Sequence, residues 1–172
     1  DPKRGRLRED RILARISRIL SSTLEIDEVY EEFAKEVRKL IDFERISINL
    51  IDAEKKEVIV AYEAGVFVSR RMKNDRFPLP GTLTEKVLES GKGMIFNFAS
   101  GKEMIRKFPG YSSAYEAGLV SVIAVPFVSK GKIIGALFLQ SKVPRIYSRD
   151  DLQRAEVVSL QIAGVIENAR LL

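Results

Sequence analysis

The sequence contains neither cysteine nor histidine among its 172 residues. Without cysteine there is no disulfide, no thiolate nucleophile, no iron–sulfur cluster and no cysteine-type zinc site. Without histidine the chain lacks the most frequent general base and the most frequent metal ligand. No nucleophile–base pair can be drawn from the side chains that remain. We therefore predict that the protein is not an enzyme and that it holds no metal.

Long apolar runs are also missing from the sequence. Residues 120–128 are interrupted by Ser121 and Pro126, and residues 133–139 contain a glycine. A membrane-spanning helix needs about 20 apolar residues, and so we predict no membrane insertion. The first residues include neither the apolar segment of a signal peptide nor an initiator methionine. We expect a cytoplasmic domain cut from a longer protein.

The composition that remains is enough for one folded domain. Apolar residues make up 45% of the chain, and single domains typically have about 100–200 residues. Basic side chains near the start contribute most of the net charge of +5. Such a cluster can attract nucleic acid, or it can be the solvated face of a helix. No aromatic residue lies among these side chains to stack on bases, which favours the solvated face and argues against nucleic acid. The basic residues are Lys3, Arg4, Arg6, Arg8, Arg11, Arg15 and Arg18.

Three segments have the apolar spacing of amphipathic helices. The first covers residues 7–22, and the second follows Asp27, which we interpret as its N-cap. The third begins at the capping pair Ser148 and Asp151 and continues to the end of the chain. Its apolar residues follow the spacing of a coiled-coil seam. We expect the first half of this seam to face the domain's own sheet and its far end to continue into a following segment. The seam consists of Ala155, Val158, Ile162, Val165, Ala169 and Leu172.

Strands and short helices fill the middle of the chain. Alternating or β-branched segments predict strands that are joined in hairpins, whereas residues 65–80 have no regular pattern and are predicted to be irregular. Helix-capping pairs predict three short helices between the strands. This order of elements predicts an α+β fold with an antiparallel sheet. The predicted strands are residues 43–51, 57–64, 93–98, 119–128 and 132–141, and the capping pairs are Thr82 with Glu85, Ser100 with Glu103, and Ser113 with Glu116.

Several segments, taken in this order, resemble those of a GAF domain, the small-molecule sensory module of many signalling proteins. The resemblance covers residues 8–172, which follow a basic linker remnant at residues 1–7. The segments that carry it are residues 16–24 (ISRILSSTL), similar to the first helix; 81–92 (GTLTEKVLESGK), similar to the central helix; 121–126 (SVIAVP) and 133–137 (IIGAL), similar to the paired fourth and fifth strands; and 162–171 (IAGVIENARL), similar to the final helix.

The resemblance implies an architecture and a role. The sheet would have five or six antiparallel strands, with the terminal helices on one face. Loops and short helices would enclose a pocket on the other face. GAF domains commonly form homodimers through their terminal helices and pass a signal to an output domain, as in the histidine kinases of two-component systems.

The same resemblance narrows the ligand chemistry. Members that attach a bilin covalently need a cysteine, and members that reduce free methionine sulfoxide depend on cysteines, so neither activity is expected. Haem-binding members usually use a histidine, which leaves only the rare tyrosine ligation. Members that bind cyclic nucleotides carry an Asn-Lys-Phe-Asp-Glu signature. Here Lys142 and Asp151 match it, and we interpret them as a structural ion pair. The other three positions are Ser141, Tyr147 and Leu152, which argues against cyclic nucleotide binding.

The candidate ligand site starts from one face of the strand at residues 43–51. Arg45, Ser47 and Asn49 share this face, where polar side chains are unusual because the sheet is expected to be covered on both sides. We predict that Arg45 meets an anionic group of a ligand while Ser47 and Asn49 orient it. Alternatively, these side chains meet water and the acidic side chains of a nearby loop.

Aromatic residues are concentrated on the presumed pocket side, where they either contact a ligand or pack as core. Asn97 and the start of the helix after Thr82 are candidate anion contacts. Besides the three strand residues, the predicted site contains Tyr62, Phe77, Thr84, Phe96, Asn97, Tyr111, Tyr115 and Ser121, and Phe67 and Phe98 are further aromatic residues on this side.

Two functional hypotheses follow. In the first, the chain is a non-catalytic sensory domain that binds an unknown small molecule and signals through its last helix to an output domain. In the second, it is a dimerisation module that needs no ligand.

Overall fold

The computed structural model describes residues 2–22, 25–98 and 101–170. Within them, six strands form one antiparallel sheet in the order β3-β2-β1-β6-β5-β4. The predicted α+β class and antiparallel sheet are confirmed, and one short strand lies inside the segment that was predicted to be irregular. The strands are β1 (Arg45–Asp52), β2 (Glu57–Gly65), β3 (Arg76–Pro78), β4 (Met94–Asn97), β5 (Ser121–Ser129) and β6 (Lys132–Ser141).

Helices cover both faces of the sheet. The first helix begins at Pro2 rather than at Leu7, because proline is favoured at the first position of a helix and the arginines that follow are good helix formers. The helices are α1 (Pro2–Leu20), α2 (Ile26–Leu40), α3 (Leu83–Ser90), α4 (Lys102–Lys107), α5 (Ser112–Glu116) and α6 (Arg149–Arg170), and a 3₁₀ turn covers Pro109–Tyr111.

The three long helices pack on one face of the sheet. Ile46 and Ile48 of β1 are fully buried there, together with Phe33 of α2 and Ile162 of α6. The basic side chains of α1 point away from this core and are exposed, which confirms the predicted solvated face. None of the helices within the described residues has the length and apolarity that are needed to cross a membrane.

The short helices and the segment of residues 66–75 cover the opposite face. A second apolar cluster lies here, with Val68, Val87, Phe98 and Leu119 among its most buried members. The sheet is therefore the middle layer of three. Both faces of β1 are covered by the neighbouring layers, and both of its edges pair with other strands, β2 and β6. This is the layered arrangement that the resemblance implies.

Three predicted helix starts and one ion pair need correction. The N-cap of α2 is Glu25, without a side-chain bond, and Asp27 in the first turn pairs instead with Lys73 at 2.7 Å. Helix α5 follows directly from the 3₁₀ turn, so that Tyr111 takes the place predicted for Ser113. Ser100 lies outside the described residues, and Gly101 is the N-cap of α4. The Asp151 carboxylate pairs with Arg154 at 3.5 Å rather than with Lys142.

The long C-terminal helix begins as predicted. The backbone N–H of Asp151 donates to the Ser148 hydroxyl (3.2 Å), and the Asp151 carboxylate accepts from the Ser148 N–H (2.9 Å). The first half of the predicted seam faces the sheet, since Ala155, Val158 and Ile162 are fully buried. Leu172 and the side chain of Ala169 lie outside the described residues.

Removing the N-cap of α6 should measurably weaken the fold. We expect Ser148→Ala to lower the free energy of unfolding by about 1 kcal/mol, because one backbone N–H at the helix start loses its side-chain acceptor. Ser148→Asp, which retains an acceptor oxygen at the N-cap, should stay within a few tenths of a kcal/mol of the parent. Urea unfolding followed by circular dichroism measures both. Equal stability of the two variants would show that the helix start is held by packing alone.

Candidate ligand-binding site

A cavity of about 40 Å³ lies between the sheet and the layer of short helices. It has space for roughly three or four water-sized groups, since one water needs about 10–15 Å³ of such space. Strands β1, β2 and β6 form its floor, and the segment of residues 66–75, β3, α3, the 3₁₀ turn and α5 form its walls. The lining residues are Arg45, Ser47, Asn49, Val60, Val68, Arg71, Phe77, Thr82, Leu83, Thr84, Gly110, Tyr111, Ala114, Phe138 and Gln140.

The alternation of side chains along β1 and its pairing with β6 place polar side chains on the floor of the cavity. Because side chains alternate along β1, the isoleucines that face the long helices leave Arg45, Ser47 and Asn49 on the cavity side, each less than 5% exposed. In the antiparallel pairing with β6, Arg45 lies opposite Gln140 and Ser47 lies opposite Phe138. The predicted polar face therefore exists and is buried.

Arg45 donates three hydrogen bonds within the protein. Its Nη1 donates to the Glu63 carboxylate (3.1 Å) and to the Val66 carbonyl oxygen (2.9 Å), and its Nη2 donates to the Arg71 carbonyl oxygen (2.6 Å). Burial lowers the pKa of Arg45, and attraction by Glu63 opposes this shift. The anionic partner predicted for Arg45 is thus already supplied by the neighbouring strand. The side chain anchors the segment of residues 66–75 over the cavity.

Arg71 is a second guanidinium at the cavity. Its centre lies 3.6 Å from the centroid of the Phe77 ring. Its Nη1 donates to the Arg70 carbonyl oxygen and its Nη2 to the Gly110 carbonyl oxygen, both at 3.0 Å. Among the described residues, no carboxylate forms an ion pair with it. Burial lowers the pKa of Arg71. Attraction by the Asp75 carboxylate opposes this shift, and repulsion from Arg45 and Arg70 adds to it.

The start of helix α3 lies next to Arg71. The Gly110 N–H donates to the Gly81 carbonyl oxygen at 3.0 Å, which joins the turn that binds Arg71 to the residue before the N-cap. The Thr82 hydroxyl accepts from the Glu85 N–H (3.1 Å), as the predicted capping box requires. The Glu85 carboxylate differs from the capping box, because it accepts from the Gly81 N–H (3.1 Å) and not from the N–H of Thr82. The N–H groups of the first two helical residues have no acceptor within the helix.

Three buried polar atoms at the cavity have no hydrogen-bond partner. They are Thr84 Oγ1, Asn49 Oδ1 and Gln140 Oε1. The amide nitrogen of Gln140 donates to the Tyr111 hydroxyl (3.1 Å), which itself donates to the Leu119 carbonyl oxygen (2.9 Å). Buried polar groups are normally paired, and so these three lining residues keep unused hydrogen-bonding capacity at the cavity.

The structure brings together six of the predicted site residues and separates the others from the cavity. Tyr62 was placed on the wrong face, because its ring packs against Tyr30 of α2 with the centroids 5.8 Å apart. Phe96 packs edge-on against Phe108 within the second cluster (5.6 Å). The Ser121 hydroxyl donates to the Val143 carbonyl oxygen (2.7 Å). Asn97 and Tyr115 are half-buried outside the cavity, and Phe67 is 65% exposed. The six that line the cavity are Arg45, Ser47, Asn49, Phe77, Thr84 and Tyr111.

Sequence reasoning missed two residues that shape the site. Gln140 lies opposite Arg45 across the sheet, and aligning β6 with β1 would have found it. Arg71 lies in the segment without any apolar period, where no sequence pattern indicates the direction of a side chain. No group of three or more metal-ligating side chains occurs in the part of the chain that the structure describes.

Comparison with known proteins identifies the family. A family model described as a GAF domain matches residues 23–167. The chain is 22% identical over 161 residues to the formate hydrogenlyase transcriptional activator FhlA of Escherichia coli (strain K12), a match that covers 92% of this chain and 23% of that protein. The chain thus spans less than a quarter of the length of this curated relative.

Solved structures show the same fold. The GAF domain of an Acinetobacter phosphoenolpyruvate-protein phosphotransferase is 19% identical with a TM-score of 0.73, covering 94% of this chain and 93% of that one. The GAF domain of a two-component sensor histidine kinase from Bacillus halodurans is 21% identical with a TM-score of 0.73, covering 87% and 98%. The chain belongs to the GAF domain family.

Proposed function

We propose that this chain is a non-catalytic sensory domain of a signalling protein, in which a small molecule bound in the cavity changes how the last helix acts on an output domain. The observation that carries the proposal is the set of three buried, unpaired polar atoms around a cavity in a GAF fold. Two of the similar proteins are named as a transcriptional activator and a two-component sensor histidine kinase. In multi-domain proteins of these kinds, a sensory domain would be one part.

Strand β1 provides a route from the cavity to the helices. Asn49 faces the cavity, whereas its neighbour Ile48 packs among the buried residues of α2 and α6. A second link is the ion pair between Lys73, in the segment over the cavity, and Asp27 in the first turn of α2. A ligand would shift the helices only if it bound two of their arrangements with different affinity. Strand β1 and the Lys73–Asp27 ion pair both connect the cavity to the long helices, so a ligand that moved either of them would favour one helix arrangement over the other.

The alternative is a dimerisation module without a ligand. Val157 and Leu160 of α6 are 43% and 67% exposed, and an apolar helix face of this kind favours a contact with a second chain. Cyclic nucleotide binding receives no support, because a cavity of about 40 Å³ is much smaller than a nucleotide and Lys142 is exposed.

Thermal unfolding with a library of small metabolites tests the sensory proposal. A compound that binds only the folded state stabilises it by about 2.7 kcal/mol at 100 times its dissociation constant. We expect at least one compact polar compound to raise the unfolding temperature. The same compound should bind Thr84→Val roughly fivefold more weakly, because one hydrogen bond of about 1 kcal/mol is lost.

A library that leaves the unfolding temperature unchanged would overturn ligand binding at the cavity. Light scattering that found a dimer in the same samples would then favour the dimerisation module. Thr84→Val serves as its own folding control, since the valine matches threonine in shape and leaves no unpaired oxygen in the core.

A further inference from the structure

We infer that the cavity binds a compact organic acid that also carries a hydroxyl or amino group, with its carboxylate held between Arg71 and the first turn of α3. This inference rests on the proposed function and names the class of ligand. It follows from three features of the cavity, namely its charge, its unpaired acceptors and its size.

Charge at the cavity favours an anion. Two guanidinium groups and no carboxylate are among the residues that line it. The Glu63 carboxylate is bonded to Arg45, and the Glu85 and Asp75 carboxylates outside the lining accept from the backbone N–H groups of Gly81 and Met72. Arg71 donates only to carbonyl oxygens. A half-buried cation without a direct ion-pair partner is stabilised by an anion that approaches it, and guanidinium geometry suits a carboxylate.

The first turn of α3 supplies the other side of this anion site. Arg71 and the residue before the Thr82 N-cap are bonded to the same residue, Gly110, which holds the guanidinium close to the helix start. The positive end of the helix dipole and the unpaired N–H groups favour an anion there. The Thr84 hydroxyl, 1% exposed and without a partner, lines the cavity at the same turn. It can donate to a carboxylate oxygen.

The floor of the cavity requires something different from the ligand. Asn49 Oδ1 and Gln140 Oε1 are buried acceptors without donors, and a bare anion has no hydrogen to give them. An acid with a hydroxyl or amino group satisfies both ends, because its carboxylate accepts from Arg71 while its O–H or N–H donates to an amide oxygen. The space of three or four water-sized groups limits the ligand to acids about as small as glycolate or glycine.

Titration with four small probes tests this inference. Glycolate and glycine carry both groups, acetate lacks the donor, and ethylene glycol lacks the carboxylate. Binding to the 172-residue chain is followed by amide chemical shifts in ¹H–¹⁵N spectra. We expect saturable shifts at Thr84 and Asn49 with glycolate or glycine, binding of acetate weaker by about tenfold, a factor that corresponds to 1.4 kcal/mol, and no site-specific shifts with ethylene glycol.

Two neighbouring arginines provide a matched pair of variants. Arg71→Gln should weaken the binding of glycolate or glycine by about tenfold or more, whereas Arg70→Gln, at an exposed neighbour of the same charge, should change it by less than about twofold. Arg71→Lys retains the charge without the planar fork and should bind with intermediate affinity. The spectrum of each unliganded variant shows whether it is folded.

The outcomes separate this inference from the proposed function. If larger or neutral compounds from the metabolite library bind the cavity and Arg71→Gln leaves their affinity unchanged, the ligand class is wrong and the sensory proposal stands. If acetate binds as tightly as glycolate and glycine, the role of the floor acceptors is overturned. If neither these probes nor any library compound shifts the cavity amides, both the inference and the ligand-binding half of the proposed function are overturned.

Discussion

Replacing Glu63 by glutamine is expected to lower the free energy of unfolding by about 3 kcal/mol. The Arg45 side chain is 3% exposed, and Glu63, at 3.1 Å, is its carboxylate partner. The variant would leave a buried guanidinium without a counter-ion, and breaking a buried ion pair in this way typically costs about 3–5 kcal/mol. We take the lower end, because Arg45 also donates to the carbonyl oxygens of Val66 and Arg71, and these bonds would remain.

Glu57→Gln is the matched control for this measurement. Glu57 lies on the same strand and pairs with Arg76 at 3.4 Å, but both side chains are about one-third exposed or more. An exposed pair contributes at most about 1 kcal/mol. Urea unfolding of the two variants should therefore differ clearly. Similar losses of unfolding free energy in both variants would show that the buried Arg45–Glu63 pair contributes no more to stability than the exposed Arg76–Glu57 pair.

The Glu63→Gln variant should also loosen the cover of the cavity. Arg45 connects β1 to the segment of residues 66–75 through the two carbonyl oxygens named above, and Glu63 holds the guanidinium in place for both bonds. Hydrogen exchange of the amides in this segment should be faster in the variant than in Glu57→Gln. Arg45 thus shapes the site by holding this segment in place, besides lining the cavity itself.

The layers of the fold could be predicted because periodicity reports burial directly. Strict alternation at Ile46 and Ile48 fixed the helix-facing side of β1, and the three–four spacing through Val158 and Ile162 fixed the sheet-facing side of α6. Both patterns follow from backbone geometry alone. Strand β3 escaped prediction because it is only three residues long and contains Pro78, too short for any period to appear.

The candidate site could be predicted only where it coincides with a periodic element. Ser47 and Asn49 followed from the alternation of β1, and Thr84 followed from the capping box of α3. The role of Arg45 did not, because its partners come from β2 and from an aperiodic segment distant in sequence. Tyr62 was misplaced because an irregularity in the pairing of β1 with β2, between Ile48 and Asn49, shifts the register that alternation assumes.

Gly135→Ala is expected to destabilise the fold strongly. Gly135 lies in β6 opposite Leu50 of β1, and a Cβ on it would collide with the backbone carbonyl oxygen of Asn49. Backbone in a central strand pair cannot move aside without breaking the ladder on both sides. We expect a loss of about 4 kcal/mol or more, the range of severe overpacking, together with displacement of Asn49 on the cavity floor.

Gly164→Ala is the opposite case and isolates the cause. Gly164 is exposed on α6, and a Cβ there would have no atom within 4 Å. Because alanine is the better helix former, this variant should gain up to about 1 kcal/mol. Thermal and urea unfolding of both variants then compare the same added methyl group at a close backbone approach and in open space. A Gly135→Ala protein as stable as the parent would mean that β1 and β6 are farther apart at Gly135 than the structure has them. The position of Asn49 on the cavity floor would then be wrong as well.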